Sequence, residues 1–482
     1  MTDQHDLPLS GVRILDAAED GFQMVGRYVA DLGADVLRLE PPEGSADRRS
    51  GVTDHGVSIT FELANANKRS VAVDPDHPSA QQQIDDLLDG ADIVLVSRPS
   101  VFAPYLDPER IAATHPAVVV TVLTDFGEES SRRDWASTPA VQFALSSILS
   151  RSGLPDRDEP LLPPSFLVAG AIAPQAVWQA VTAHYNARRT GTGDIIDFSA
   201  LDALVHIFDP PLGMQGSGRT GIDPFDVPRG RPDARGLYPI FSTADGIVRI
   251  CVLSPRQWRN MLTWMGDPPE FSTPEFDNPF HRLQHRDEIF AHYRRHFAAL
   301  TTEEAVRQGE ELRVPVTSID ELGEVVNQPA FRVNGSFTDL MLSDGRTATV
   351  PAGVFSIDGA RAGLRTPAPV VGDATGWLGH RGTGPVTPGH AGGWVSGVNA
   401  HPDRPFEGLR VLDFGVIVMG AETGRLFADY GADVIKVEST SFPDGCRQMA
   451  PGTEMSESFA WGHRNKRSLG LDLTSDEGKS VL

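Results

Sequence analysis

Cysteine is nearly absent: Cys251 and Cys446 are the only two in 482 residues, too few and too far apart for a disulfide framework or a cysteine zinc site. Lysine is almost as scarce, with Lys68, Lys436, Lys466 and Lys479 alone among 42 Lys and Arg residues. Acids outnumber bases by 65 to 42, a formal net charge of -23 that excludes a broad nucleic-acid surface, because phosphate binding needs clustered cations. An anionic ligand would need a local cationic pocket set against that field. There is no long apolar run at the polar opening, Met1 to Pro8, so neither a signal peptide nor a membrane span is expected, and with so little cysteine a reducing, cytoplasmic location is. The histidines are dispersed. His281 and His285 share a helical spacing but lack acidic or cysteine partners, so they read as surface residues and no metal is expected.

What the chain does have is a repeat. Gly26 to Glu40 returns as Gly424 to Glu438, identical at 9 of 15 positions, and Asn67-Lys68-Arg69-Ser70 returns as Asn465-Lys466-Arg467-Ser468 at an offset of 398 residues. Upstream, Gly11 to Asp16 returns as Gly408 to Asp413 at an offset of 397, one loop residue shorter. A shared offset over that length implies a shared fold. Two of the scarce lysines, Lys68 and Lys466, fall on one repeat position. That points either to a required compact ammonium or to pairing with a nearby carboxylate. The second copy reaches Leu482, which corresponds to Ile84 inside an expected helix, so either the gene product continues or a reading frame has been cut.

The periodicity predicts a doubly wound α/β domain. Strands are expected at Arg13 to Ala17, Asp35 to Leu39 and Ser70 to Val73, with a helix over Phe22 to Leu32 that Gly33 stops. A second helix is expected after Asp76, with Pro78 in its first turn and Gly90 past its end. Ile93 to Val96 and Ala117 to Leu123 are continuous β-branched runs, as in strands buried on both faces of a parallel sheet. A long helix over Leu167 to Arg189 turns through Thr190 to Gly193 into a strand at Asp194 to Phe198. The expected organisation is a large domain at 1–210, a Gly- and Pro-rich connection through Gly236, and a smaller domain at 237–330. A return segment at 331–375 (entered through an Asn334-Gly335 turn), a linker at 376–405 and a partial second large domain at 406–482 follow. Neither first turn, Asp16 to Gly21 or Asp413 to Val418, carries Gly-x-Gly-x-x-Gly, so a dinucleotide such as NAD is not expected.

Four motifs in order resemble those of family III coenzyme A transferases, the CaiB/BaiF family: Leu9 to Asp16, Ala30 to Glu40, Asn67 to Ser70, and Thr190 to Ala203. Arg38 stands where that family usually has Lys, and Lys436 restores it in the second copy. The resemblance implies CoA exchange between an acyl-CoA and a carboxylic acid. An Asp attacks the thioester, giving a mixed anhydride and then an aspartyl-CoA thioester. It places CoA contacts at Asp20, Gly21, Val73, Asp74, Ser97 and Arg98. It places the nucleophile just before the long helix, where this chain reads Pro164-Ser165-Phe166-Leu167-Val168-Ala169-Gly170. The nucleophile position is Phe166, which cannot attack a carbonyl.

Other positions depart as well. The CoA-contacting loop Glu-Asn-Phe-x-Pro-Gly reads Leu95-Val96-Ser97-Arg98-Pro99-Ser100, and basic residues expected near the nucleotide are Asp76 and Pro104. A racemase branch of the family would need His and Asp near Thr138 and Pro139. Asp156, Asp158 and Glu159 lie upstream in a stretch read as exposed loop. The expected protein is a fused, two-unit CoA transferase whose first unit is catalytically degenerate, with acyl-CoA and a carboxylic acid as partners. The alternative is a non-catalytic acyl-CoA-binding or scaffold pseudoenzyme. Family members form intertwined homodimers, which a fusion could reproduce as an intrachain pseudo-dimer with the catalytic Asp supplied by the second unit's missing part.

Overall fold

Continuous apolar strands with no polar face must be covered on both sides, and the chain builds its sheet accordingly. The computed structural model describes residues 7–19, 21–150, 152–207, 236, 238–377, 403–440, 442–449 and 457–482. In chain order the first strands are β1 (Arg13–Ala17), β2 (Asp35–Glu40), a short hairpin of β3 (Thr53–Asp54) and β4 (Val57–Ser58), β5 (Arg69–Ala72), β6 (Ile93–Ser97), β7 (Val119–Thr124) and β8 (Ile195–Ser199). Six of them form one sheet in the order β5-β2-β1-β6-β7-β8, every neighbouring pair parallel. This is the expected doubly wound arrangement. Leu15 sits opposite Leu37 on one side and Val94 on the other.

Adjacent strand residues point to opposite faces, so Ile14, Val36, Ile93 and Val119 join one core while Leu15, Leu37, Val94 and Val120 join the other. Helices α1 (Gln23–Asp31) and α6 (Phe166–Thr190) cover the first face; α3 (Ala80–Leu88) and α4 (Pro108–Thr114) cover the second. Between them lie α2 (Ile59–Asn65) and α5 (Pro139–Leu145), and α7 (Ala200–Ile207) follows β8. Helix α3 starts later than the sequence suggested. The Asp76 N–H donates to Asp74 Oδ1 and His77 Nδ1 meets Ser79 Oγ at 2.7 Å, so this stretch closes into turns before the helix begins. Helix α6 is long and apolar enough to cross a bilayer by length and composition alone. Its Ile172, Ala173, Ala176 and Ala180 nevertheless lie in the core, and Gly191 ends it in the left-handed conformation with φ 79°.

A separate unit comprises Ser150–Leu161 and Gly230–Gly335. Its strands β9 (Ile240–Ser242), β10 (Ile247–Ile250) and β11 (Val316–Ser318) form an antiparallel sheet in the order β11-β10-β9. Helices Pro255–Trp264 and Thr302–Leu312 both open on capping boxes, Ser254 with Gln257 and Thr301 with Glu304. Phe241, Trp258, Phe271, Phe276 and Phe297 fill its core. The Pro- and Gly-rich connection at 208–235 lies outside the described residues.

Asn334-Gly335 proves to end a helix, Pro329–Val333, instead of turning a hairpin. The chain then forms β12 (Phe337–Met341) paired with β13 (Thr347–Pro351), and β14 (Phe355–Ile357) paired with β15 (Ala360–Ala362). Leu340, Leu342 and Val350 pack there against Val57, Ile59 and Leu63 beside α2. Most of the 376–405 linker also lies outside the described residues.

The second copy repeats the opening of the first: β16 (Arg410–Asp413), helix Ile417–Asp429, β17 (Asp433–Glu438) and β18 (Arg467–Gly470). Its register is the same, with Arg410 opposite Asp433 as Arg13 is opposite Asp35. Lacking a counterpart of β6 among the described residues, β16 is an edge, and Leu412 is 50% exposed where Leu15 is fully buried. The copy rests on the outer side of α6. Trp178 lies 5.8, 5.7 and 6.0 Å from the rings of Phe406, Phe427 and Tyr430, and Tyr185 lies 5.9 Å from Phe406.

Candidate active site

In a doubly wound sheet, ligands bind beyond the carboxyl ends of the strands where the winding reverses, here between β1 and β6. The loops leaving these two strands are tied together, because the Glu19 N–H donates to Ser97 Oγ at 2.9 Å and Ser97 is wholly buried. Gly21 sits in the same loop at φ 95°, a conformation that favours glycine, and its N–H donates to Gln23 Oε1 at 2.9 Å. Gln23 is held in turn by Asp47, 3.0 Å away. Arg98 follows Ser97, half-buried, with Nε 3.4 Å from Glu128 Oε2 and one buried guanidinium nitrogen without a partner among the described residues. Thus Gly21, Ser97 and Arg98 gather at the reversal point. Val73 and Asp74 lie at the end of the edge strand β5. The Val73 N–H donates to the Glu40 carbonyl and Asp74 caps its own turn, two strands away from β1 in the sheet order. Asp20 lies outside the described residues.

Beneath these loops is a buried ionic network of which sequence reasoning singled out Lys68 and Arg38. Lys68 Nζ donates to Asp16 Oδ2 at 2.8 Å, to the Gln23 carbonyl at 2.8 Å and to Asn65 Oδ1 at 2.9 Å. Asn65 also accepts from Arg38 at 2.8 Å, and Arg38 reaches Asp47 at 2.9 Å. Lys68 is therefore the carboxylate-paired lysine, and its burial lowers its pKa from the ordinary value against the pull of Asp16. Glu40 shows the opposite balance: burial raises it, but hydrogen bonds from Arg48, the charges of Arg38 and Arg48, and the Ser45 N–H hold it at about 2. The signal available for Gln23, Asn65 and Asp47 was weak. A polar residue inside an apolar pattern does not reveal which distant residue it will meet.

Phe166 is the first residue of α6 and is 72% exposed. Ser165 provides no side-chain cap, and no acid occupies the first turn. Pro174 inside the helix withholds the N–H that would bond the Gly170 carbonyl. Asp156, Asp158 and Glu159 are exposed. Thr138 caps α5 by accepting from the Val141 N–H at 3.3 Å, and Pro139 follows at the first helical position. His281 and His285 are half-buried against the Phe276 ring, with centroids 4.7 and 5.3 Å from it, so they are packing residues more than surface ones. Among the described residues no cluster of three or more His, Cys, Asp or Glu side chains could hold a metal ion.

The sequence model of CoA-transferase family III matches residues 9–375 and again 406–482. A Mycobacterium tuberculosis protein named as a probable CoA-transferase is 43% identical over 465 residues, which is 96% of this chain but 57% of the relative. This chain thus spans little more than half the length of that protein. A succinate–glutarate CoA-transferase of Agrobacterium fabrum is 25% identical over 353 residues, 70% of this chain and 86% of its own. In fold, a CaiB/BaiF family protein of Brucella suis matches with a TM-score of 0.62 at 22% identity, covering 76% of this chain and 97% of that one.

Proposed function

The chain belongs to CoA-transferase family III, and from that premise we propose that it serves CoA transfer between an acyl-CoA and a carboxylic acid while its first unit is catalytically degenerate. The observation that carries the second half is Phe166 at the head of α6, where the family's mechanism needs a carboxylate. A phenyl ring offers neither an attacking oxygen nor a leaving group, so no aspartyl-CoA thioester can form there. The CoA-binding role is assigned to Gly21, Ser97 and Arg98 at the reversal point, with Asp20, Val73 and Asp74 as further contacts. Transfer then requires a carboxylate from another unit, within a homodimer or an intrachain pseudo-dimer. A cytoplasmic setting is part of the same proposal, resting on the scarcity of cysteine in the sequence.

The second reading, a non-catalytic acyl-CoA-binding or scaffold protein, draws on the same Phe166. Supplying the full chain with succinyl-CoA as donor and glutarate as acceptor and following CoA exchange by chromatography tests the loss of catalysis that both readings share, and acyl-CoA binding by the same chain separates them. No transfer is expected from this chain. Turnover by it would remove the degenerate reading, and failure to bind any acyl-CoA would favour the scaffold.

A further inference from the structure

In a chain of net charge -23, the unit that holds β9, β10 and β11 buries a cation with no carboxylate beside it. Arg282, in the helix Pro279–Gln284, is 7% exposed. A guanidinium has five N–H donors. Four of them go to main-chain carbonyls, from Nη1 to Phe276 and Asp277 at 2.7 and 3.0 Å and from Nη2 to Val252 and Leu253 at 3.1 and 2.9 Å. The fifth, on Nε, has no protein partner among the described residues, and no carboxylate there forms an ion pair with the group. The Asp277 carboxylate is engaged instead by Arg259, whose Nε lies 3.1 Å from Oδ1. Beneath the guanidinium is the Trp258 ring, with its centroid 5.2 Å away. Carbonyl dipoles solvate such a charge without neutralising it.

Arg282 lines a cavity of about 50 Å³ together with Tyr293, from the next helix, Arg286–Ala298. Tyr293 is 3% exposed, yet its hydroxyl has no hydrogen-bond partner among the described residues. Burial pushes the phenol pKa up against the charge of Arg282, so the group keeps its proton and is available as a donor. Arg286 also lines the cavity and is exposed, with Asp287 3.7 Å from it. Most of the remaining wall is apolar, from Ile250, Val252, Leu253, Leu283, Ile289 and Phe290. The Val252 and Leu253 carbonyls are already taken by Arg282. The cavity therefore offers a positive charge and two unused donors among aliphatic and aromatic side chains. A few convergent polar groups in an apolar wall are what hold and orient a small ligand.

We propose that this cavity is a binding site for a small organic carboxylate, whose two oxygens take the Arg282 Nε–H and the Tyr293 O–H while a short apolar body lies against Val252, Leu253 and Leu283. One buried charge and two donors match a monoanion with two oxygens. A phosphate would leave further charged oxygens against an aliphatic wall, at the cost of unpaired polar groups. The site does not rest on the CoA reading, because Gly21, Ser97 and Arg98 belong to the other unit.

The test titrates butyrate into the full chain and reads binding by saturation-transfer NMR. Saturable binding is expected. Uncharged 1-butanol and cationic butylamine, of the same length, should bind about tenfold more weakly or not at all, since each forgoes the charge-assisted bond to Arg282. Arg282 also staples two loops, so the variant of choice is Tyr293→Phe. It should weaken butyrate about tenfold and leave the thermal unfolding curve in place, because the lost hydroxyl bonds nothing in the protein. With butyrate bound, hydrogen exchange should slow at 250–253 and 282–293 and not at 17–23 or 97–98, the loops that leave β1 and β6. No saturable binding, equal binding of butanol or butylamine, unchanged affinity in Tyr293→Phe, displacement of butyrate by inorganic phosphate as the tighter ligand, or protection confined to 17–23 and 97–98 would overturn the proposal.

Discussion

Lys68 Nζ lies 2.8 Å from Asp16 Oδ2 with both side chains wholly buried, and Gly26 crowds the pair so closely that a Cβ there would stand 2.2 Å from that oxygen. The second copy repeats the arrangement, with Lys466 2.8 Å from Asp413 and a Cβ on Gly424 only 2.5 Å from the carboxylate. The pair explains why an arginine-rich chain keeps lysine and glycine at these positions twice: the space admits an ammonium but neither a guanidinium nor a methyl group.

Lys68→Met should therefore destabilise the first unit by about 3 to 5 kcal/mol, because it strands a buried carboxylate. Lys68→Arg should fail to restore it, whereas Lys68→Met combined with Asp16→Asn should recover much of the loss. Urea unfolding followed by circular dichroism measures all three. Wild-type stability in Lys68→Met would show that the pair contributes nothing.

Glu40 gives the fold a pH dependence of known sign. Its folded pKa of about 2 lies below its ordinary value of 4.5, so its contribution is present above the ordinary value and is lost as pH falls toward 2. The depression corresponds to about 3 kcal/mol. Wild-type stability should fall between pH 5 and pH 3 more steeply than that of Glu40→Gln (~2 units spanning the titration). Parallel pH profiles for the two proteins would contradict the assignment.

CoA should bind weakly or undetectably, with Kd toward about 1 mM, because Arg98 leans on Glu128 and the nearby positions 76 and 104 hold Asp and Pro. Glu128→Gln frees Arg98 for a phosphate and should tighten binding several-fold, an effect that Arg98→Ala abolishes. Calorimetry with CoA reads both. A low-micromolar or better affinity for the wild-type chain, unchanged in Arg98→Ala, would remove Arg98 from the site.

Trp178 should govern how firmly the second copy is held. Trp178→Ala removes the ring shared by Phe406, Phe427 and Tyr430, and hydrogen exchange at 403–430 should speed while β1 and β6 stay protected. Uniform exchange in mutant and wild type would mean that the aromatic cluster does not hold the copy in place.

The sheet was legible in the sequence because β6 and β7 are unbroken β-branched runs and β1 and β2 are short apolar stretches flanking a helix-spaced segment, and the repeat announced the second copy's three strands in register. The later start of α3 was not legible, since Asp76, His77 and Ser79 compete for the backbone through local hydrogen bonds. At the site, Phe166 could be placed at the helix head from its neighbours in the chain. The hydrogen bond from the Arg365 N–H to Asn67 Oδ1 could not: the two are 298 residues apart, and nothing local in either tells of the other. The same holds for Arg38 and Asn65, whose partners come from separate turns of the chain. The aromatic contact between α6 and the second copy likewise depends on where the fold places a helix face.

The most direct measurement of the central claim is to incubate the full chain with succinyl-CoA and glutarate, quench with hydroxylamine and map modified carboxylates by peptide mass spectrometry. The account predicts no hydroxamate at any acid near the head of α6, because Phe166 cannot carry the acyl or CoA group. A hydroxamate at Asp156, Asp158 or Glu159, formed only in the presence of acyl-CoA, would contradict it and make that residue the nucleophile.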